Sequence, residues 1–192
     1  MGPALRRALL ALLLLATGCD QTDHALFEAA LSGSPGEIEA ALRAGAPVDA
    51  LNAEARTPLM FAASRNTLPV VRALLVAGAE VNIGDRRAVT PLMFAASRND
   101  AAVVRALLAA GADIHARDFG GATALMIAAR NNTAEVVRAL IEGGAAVDAL
   151  DQGGANALMI AAGHNDAAVL RALDAEIRRD HPGEGDKGPW QP

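Results

Sequence analysis

The residues of this 192-residue chain that could do chemistry are four histidines, one cysteine, a set of methionines and two serines. Histidines bind a metal when the chain brings them together, as two on one helix face four residues apart do. His24, His115, His164 and His181 show no such pair and no HExxH spacing. Cys19 is the single cysteine, so neither an intrachain disulfide nor a cysteine metal cluster can form. Met60, Met93, Met126 and Met159 recur every 33 residues and could offer soft sulfur to copper. Ser64 and Ser97 could be nucleophiles, but neither has His and Asp partners at a recognisable spacing, and no glycine-rich phosphate loop follows a strand. The expectation is a protein that is not an enzyme and carries no cofactor and no metal.

The elements around these residues repeat. Thr57-Pro58-Leu59-Met60 returns as Thr90-Pro91-Leu92-Met93, and in altered form as Thr123-Ala124-Leu125-Met126 and Asn156-Ala157-Leu158-Met159. A weaker copy opens at His24, one period earlier. Thr57 and Thr90 supply an oxygen that caps a helix, and Pro58 and Pro91 suit the first helical position, where no N–H is needed. Nine residues on stand Gly33, Asn66, Asn99, Asn132 and Asn165, types that tolerate the left-handed conformation ending a helix. Ser34, Thr67, Asp100, Thr133 and Asp166 follow, each a good N-cap for a second helix. That helix carries an apolar set such as Val70, Val71, Leu74 and Leu75, and stops at Gly45, Gly78, Gly111 or Gly144. Arg72, Arg105, Arg138 and Arg171 recur on its solvated side.

Helices this short are not stable alone, since isolated helices below about 12–15 residues are marginal in water. Five units must therefore stack, and at a helix packing distance of about 8–10 Å the methionines are too far apart to share a metal that needs sulfur within about 2.3 Å. The ladder is expected to be core. The 33-residue period, with strings such as TPLMFAA and ALLAAGADIHARD, resembles the ankyrin repeat. The resemblance implies an all-α fold: an ankyrin-repeat solenoid of five 33-residue helix-turn-helix units over residues 24–179, joined by hairpin-like turns at Asp85, Asp118 and Asp151. Two departures stand out. Methionine replaces the histidine of the usual TPLH, and Ala55 and Ala88 replace the turn glycine kept at Gly121 and Gly154. Glu37 and Glu39 in the first unit and Asp174 in the fifth make the ends of the array more polar, as a solenoid requires.

Outside the repeats the composition changes. Arg6 and Arg7 precede an apolar run from Ala8 to Ala16, too short to span a bilayer but shaped like a signal peptide. Leu15-Ala16-Thr17-Gly18-Cys19 resembles the bacterial lipobox, which implies cleavage before Cys19 and diacylglycerol on its sulfur. Residues 1–18 are thus expected to be a signal peptide, 19–23 a lipidated cysteine with a short tether, and 180–192 a Gly/Pro-rich disordered tail. Trp190 in that tail reads as a stray aromatic or a docking peg. Asp20 after the cysteine resembles the signal that keeps some lipoproteins in the inner membrane.

Removing the first eighteen residues, which hold two arginines and no acid, takes the net charge from −5 to −7. So acidic a body argues against nucleic-acid binding. The ankyrin resemblance implies a protein partner held by hairpin tips and first-helix ends in a concave groove. Carried over by repeat position, that surface includes Arg56, Arg65, Arg86, Arg87, Arg98, Arg117, Phe119 and Arg130. Arginine suits ion pairs at interfaces and Phe119 could anchor, so an acidic partner is expected. The competing reading is that these arginines pair with Glu54, Asp85, Asp118 or Asp151 and merely solubilise the surface. The function expected is a lipid-anchored, monomeric interaction module facing the periplasm of a bacterial cell envelope. Its alternatives are an immunity protein against a periplasm-delivered toxin and an accessory lipoprotein stabilising an envelope enzyme.

Overall fold

The computed structural model describes residues 21–180 apart from 66, 99, 132–133 and 165–166. The expectations for residues 1–18, Cys19, Asp20 and the tail with His181 and Trp190 fall outside the described residues. So do those for the turn residues Asn66, Asn99, Asn132 and Asn165 and for the caps Thr133 and Asp166. Ten helices and no strand occur among the described residues, as the repeat pattern requires. They are α1 Gln21–Ser32, α2 Pro35–Arg43, α3 Pro58–Ser64, α4 Leu68–Val76, α5 Pro91–Arg98, α6 Ala101–Ala109, α7 Ala124–Arg130, α8 Ala134–Glu142, α9 Ala157–His164 and α10 Ala167–Asp180.

The chain divides into two compact units, one ending at Glu80 and one beginning at Val81. In the first, α1 packs on α2 and α3, while α4 packs on α2 and α3. Phe27 and Phe61 meet edge to face there, with centroids 5.5 Å apart. In the second unit the first helices α5, α7 and α9 stack in order and the second helices α6, α8 and α10 stack in order, each pair closed on itself. The expected core is in place: Leu59, Met60, Val70, Val71, Leu74, Leu92, Met93, Val104, Leu107, Leu125, Met126 and Leu140 are buried. Burying a side chain of that size contributes about 1.5–3 kcal/mol. Arg72, Arg105, Arg138 and Arg171 are exposed as the register predicts.

The caps explain where the helices begin. Thr57, Thr90 and Thr123 are buried, and the Oγ1 of each accepts from the N–H of the methionine three residues on, at 3.3, 3.4 and 3.4 Å. Asn156 does the same for Met159 at 2.9 Å. Asp100 caps α6 by accepting from Ala102 and Val103 at 2.9 and 3.0 Å, and Ser34 caps α2 through Glu37 at 3.4 Å. At the other end, Gly45, Gly78, Gly111 and Gly144 have φ between 88° and 98°. The residue after each returns its N–H to a carbonyl of the last turn, as Ala112 does to Leu107 at 3.0 Å.

Three expectations change. Thr67 does not cap α4; its Oγ1 instead donates to the Ala62 carbonyl at 3.1 Å. Pro69 at the second helical position has removed one of the N–H groups such a cap would serve. Second, α1 starts at Gln21, so the segment read as an extended tether to Asp23 is already helical there. Asp23 lies in the first turn, where its carboxylate complements the positive helix end and favours a start ahead of it. Third, the methionine ladder is core only in part. Met60, Met93 and Met126 are each 1% exposed, but Met159 is 52% exposed, because α9, unlike α7, has no further first helix packed on it among the described residues.

Candidate protein-binding surface

Each connection between repeats turns on one side-chain carboxylate or amide. Oδ1 of Asp85 accepts from the N–H groups of Arg87 and Val89 at 2.8 and 3.0 Å. Asp118 accepts from Gly120 and Ala122 at 2.8 and 2.9 Å, and Asp151 from Gly153 and Ala155 at 2.8 and 2.9 Å. Asn52 does the same for Glu54 and Arg56, both at 2.9 Å. A short carboxylate or amide that binds its own backbone two and four residues on makes a tight, reproducible corner. Each corner is closed by a residue at positive φ: Ala55 at 57°, Ala88 at 59°, Gly121 at 78° and Gly154 at 77°.

In the second unit the hairpins are joined tip to tip. Phe119 N–H donates to the Arg87 carbonyl at 3.0 Å, and Gln152 N–H donates to the Gly120 carbonyl, also at 3.0 Å. Lower down, Asn82 accepts from the N–H of Asp113 at 2.7 Å and donates to the carbonyl of Gly111 at 3.1 Å. The ends of the first helices are joined as well, through Asn131 Nδ2 donating to the Ser97 carbonyl at 2.9 Å. Two rows of neighbouring groups result, one of tips and one of helix ends.

The predicted arginines fall into different roles. Arg86 and Arg87 are exposed on the first tip of the second unit, beside Phe119, which is 69% exposed on the next. Arg98 and Arg130 are exposed at the ends of α5 and α7, whose adjacent residues Ser97 and Asn131 are bonded. Arg117 is a structural tie: its Nη1 donates to the Leu150 carbonyl at 2.6 Å and to the Gly121 carbonyl at 3.2 Å, fixing one hairpin to the next. In the first unit, Arg56 is half-buried where its hairpin closes on Asn52, and Arg65 is exposed at the end of α3. The competing reading pairs the arginines with Glu54, Asp85, Asp118 or Asp151; Oδ1 of Asp85, Asp118 and Asp151 accepts from its own hairpin backbone, so any arginine pairing there falls to the other carboxylate oxygen.

The candidate nucleophiles are committed too. Ser64 and Ser97 donate to the carbonyls of Phe61 and Phe94 at 2.8 and 2.7 Å, bonds that close the ends of α3 and α5. His24 approaches Glu28 at 4.0 Å, while His115 and His164 are exposed on separate elements. Among the described residues no group of three or more His, Cys, Asp or Glu converges. Neither the bridging of Arg117 nor the Asn131 tie was visible in the sequence. The recurrence of polar residues at fixed register was the signal available for them.

Stacked helix pairs joined by projecting hairpins, with varied exposed tips on a fixed backbone, define a repeat scaffold for holding another protein. The family profile described as Ankyrin repeats (3 copies) matches residues 7–85, 26–118 and 92–179, and the chain belongs to the ankyrin-repeat family. Such repeats are protein-protein interaction modules, typically without enzymatic activity. No curated protein matches the chain.

Proposed function

We propose that the protein is a lipid-anchored envelope module whose second unit holds an acidic segment of a partner protein. The observation that carries this is the exposure of Arg86 and Arg87 beside the exposed ring of Phe119, next to a hairpin whose carboxylate Oδ1 is taken by its own backbone. Arginine forks pair with carboxylates in two-point fashion, and an exposed ring supplies apolar area at small entropic cost. Arg98 and Arg130 extend the same charge along the helix ends. The leader-like residues 1–18 and the single Cys19 at the lipobox support an anchor, and Asp20 supports the inner membrane. Two chains, at about 0.8 kcal/mol per buried CH₂, would hold the protein stably.

Crosslinking in intact cells followed by mass spectrometry tests both parts together. Reversing Arg86, Arg87 and Arg130 to glutamate should abolish partner capture and leave the helical signal and melting unchanged. Reversing Arg72 and Arg138 on the second-helix face is the matched control. Added salt should weaken capture by the unaltered protein, because exposed charges are screened within about 8–10 Å. Loss of capture in the control pair alone would assign binding to the other face. Cys19→Ala should move the protein out of the membrane fraction or leave it unprocessed, and a wild-type protein wholly soluble after lysis would refute the anchor.

A further inference from the structure

We infer that Met159 is a site of selective, reversible oxidation, whose thioether takes one oxygen atom from a peroxide and becomes a sulfoxide while the fold stands. Met60, Met93, Met126 and Met159 occupy one register of the repeat. Met126 and Met159 also share their neighbours, since Ala-Leu precedes and Ile-Ala-Ala follows each. Their backbones are held alike: the N–H of Met126 donates to Thr123 Oγ1 at 3.4 Å, and that of Met159 donates to Asn156 Oδ1 at 2.9 Å. The two thioethers therefore have the same intrinsic reactivity. Access separates them. Met60, Met93 and Met126 are each 1% exposed, whereas Met159 is 52% exposed. Its flank is open as well, because Leu158 is half-buried and Ala162, on the same helix face, is exposed with only a methyl group to offer. The corresponding Leu125 and Ala129 beside Met126 are buried.

The chemistry needs only a peroxide and that access. A lone pair on Met159 Sδ attacks one peroxide oxygen, so an S–O bond forms as the O–O bond breaks. Sulfur gives up two electrons, the proton on the transferred oxygen passes to the departing hydroxide, and the peroxide leaves as water. Sulfoxide reductases reverse the change, one enzyme for each epimer at sulfur.

Exposure also decides what the product does to the fold. A sulfoxide oxygen accepts hydrogen bonds strongly. At the three buried positions it would sit among apolar side chains, and burying such a group without a donor is costly. At Met159 water supplies the donors. The buried sulfurs, moreover, meet the oxidant only when their repeats open, so their rates are cut by the opening equilibrium. Oxidation should thus stop at Met159 in the folded chain and turn an apolar helix face polar.

The four methionines fall on four different tryptic peptides, 57–65, 88–98, 118–130 and 139–171, so each can be followed separately. The full chain in peroxide-free detergent is treated with hydrogen peroxide, then digested and read by mass spectrometry. Met159 should oxidise at least about tenfold faster than Met60, Met93 or Met126, and in urea that unfolds the chain the four rates should converge. With Met159 oxidised and the others intact, circular dichroism and the melting curve should be unchanged, and the two classes of sulfoxide reductase together should remove the added oxygen. Met159→Leu should abolish the fast reaction and leave the other three rates as they were. Equal rates for Met159 and Met126 in the folded chain overturn the proposal. So does a gap that persists in urea, since access would not be its cause. Helical signal lost in step with Met159 oxidation, or a sulfoxide that the reductases leave in place, overturns it too.

Discussion

The hairpins at 85–88 and 118–121 occupy the same register of successive repeats and make the same bonds, yet one closes on alanine and the other on glycine. Ala88 sits at φ 59° and donates to the Asp85 carbonyl at 2.8 Å; Gly121 sits at φ 78° and donates to the Asp118 carbonyl at 2.9 Å. Left-handed backbone costs an L-residue about 1–2 kcal/mol, so the carboxylate corner imposes the conformation rather than following from glycine. Gly121 has a second reason to be glycine. A Cβ there would lie 2.9 Å from the backbone nitrogen of Gln152, which the tip-to-tip bond holds in place. Gly154, in the last hairpin, has nothing within 4 Å of that position. One corner conformation thus tolerates a methyl or rejects it according to what packs beside it.

Substitutions can break that comparison. Gly121→Ala combines left-handed strain with a backbone clash and should cost about 2–4 kcal/mol in urea denaturation. Gly154→Ala meets only the strain, partly offset by a less flexible unfolded chain, and should cost about 1 kcal/mol or less. If the two losses are equal, the approach of the next hairpin is not what Gly121 serves. The smallest effect has the opposite sign. Ala88→Gly relieves about 1–2 kcal/mol of strain and gives back about 0.4–1 kcal/mol through the unfolded state, for a gain of up to about 1.6 kcal/mol. A loss of stability instead would mean that the Ala88 methyl makes packing contacts that outweigh its strain.

These positions also mark how far the sequence could be read. Glycine stops, the buried faces of α4 and α6 and the described caps other than Thr67 depend on residues within one turn of each other, and they are where the 33-residue period puts them. The absence of glycine at 55 and 88 was legible, but not that alanine would hold the glycine conformation, because the bonds responsible arise only once the hairpin closes. Arg117 reads as one more surface arginine until the Leu150 carbonyl, 33 residues away, is placed 2.6 Å from it. Met159 matches Met126 in its local sequence and differs in having no further first helix packed on it among the described residues.

The tip-to-tip ladder has a consequence for how such a surface can change over generations. Its bonds run from Phe119 N–H to the Arg87 carbonyl and from Gln152 N–H to the Gly120 carbonyl, so they use main-chain atoms alone. Mutation of a tip side chain therefore leaves the joint standing, provided that the newcomer is not proline. The three tips of the second unit, following Asp85, Asp118 and Asp151, already hold arginine, phenylalanine and glutamine. Selection can redraw the side chains of this surface one letter at a time, while the frame that presents those letters is inherited unchanged.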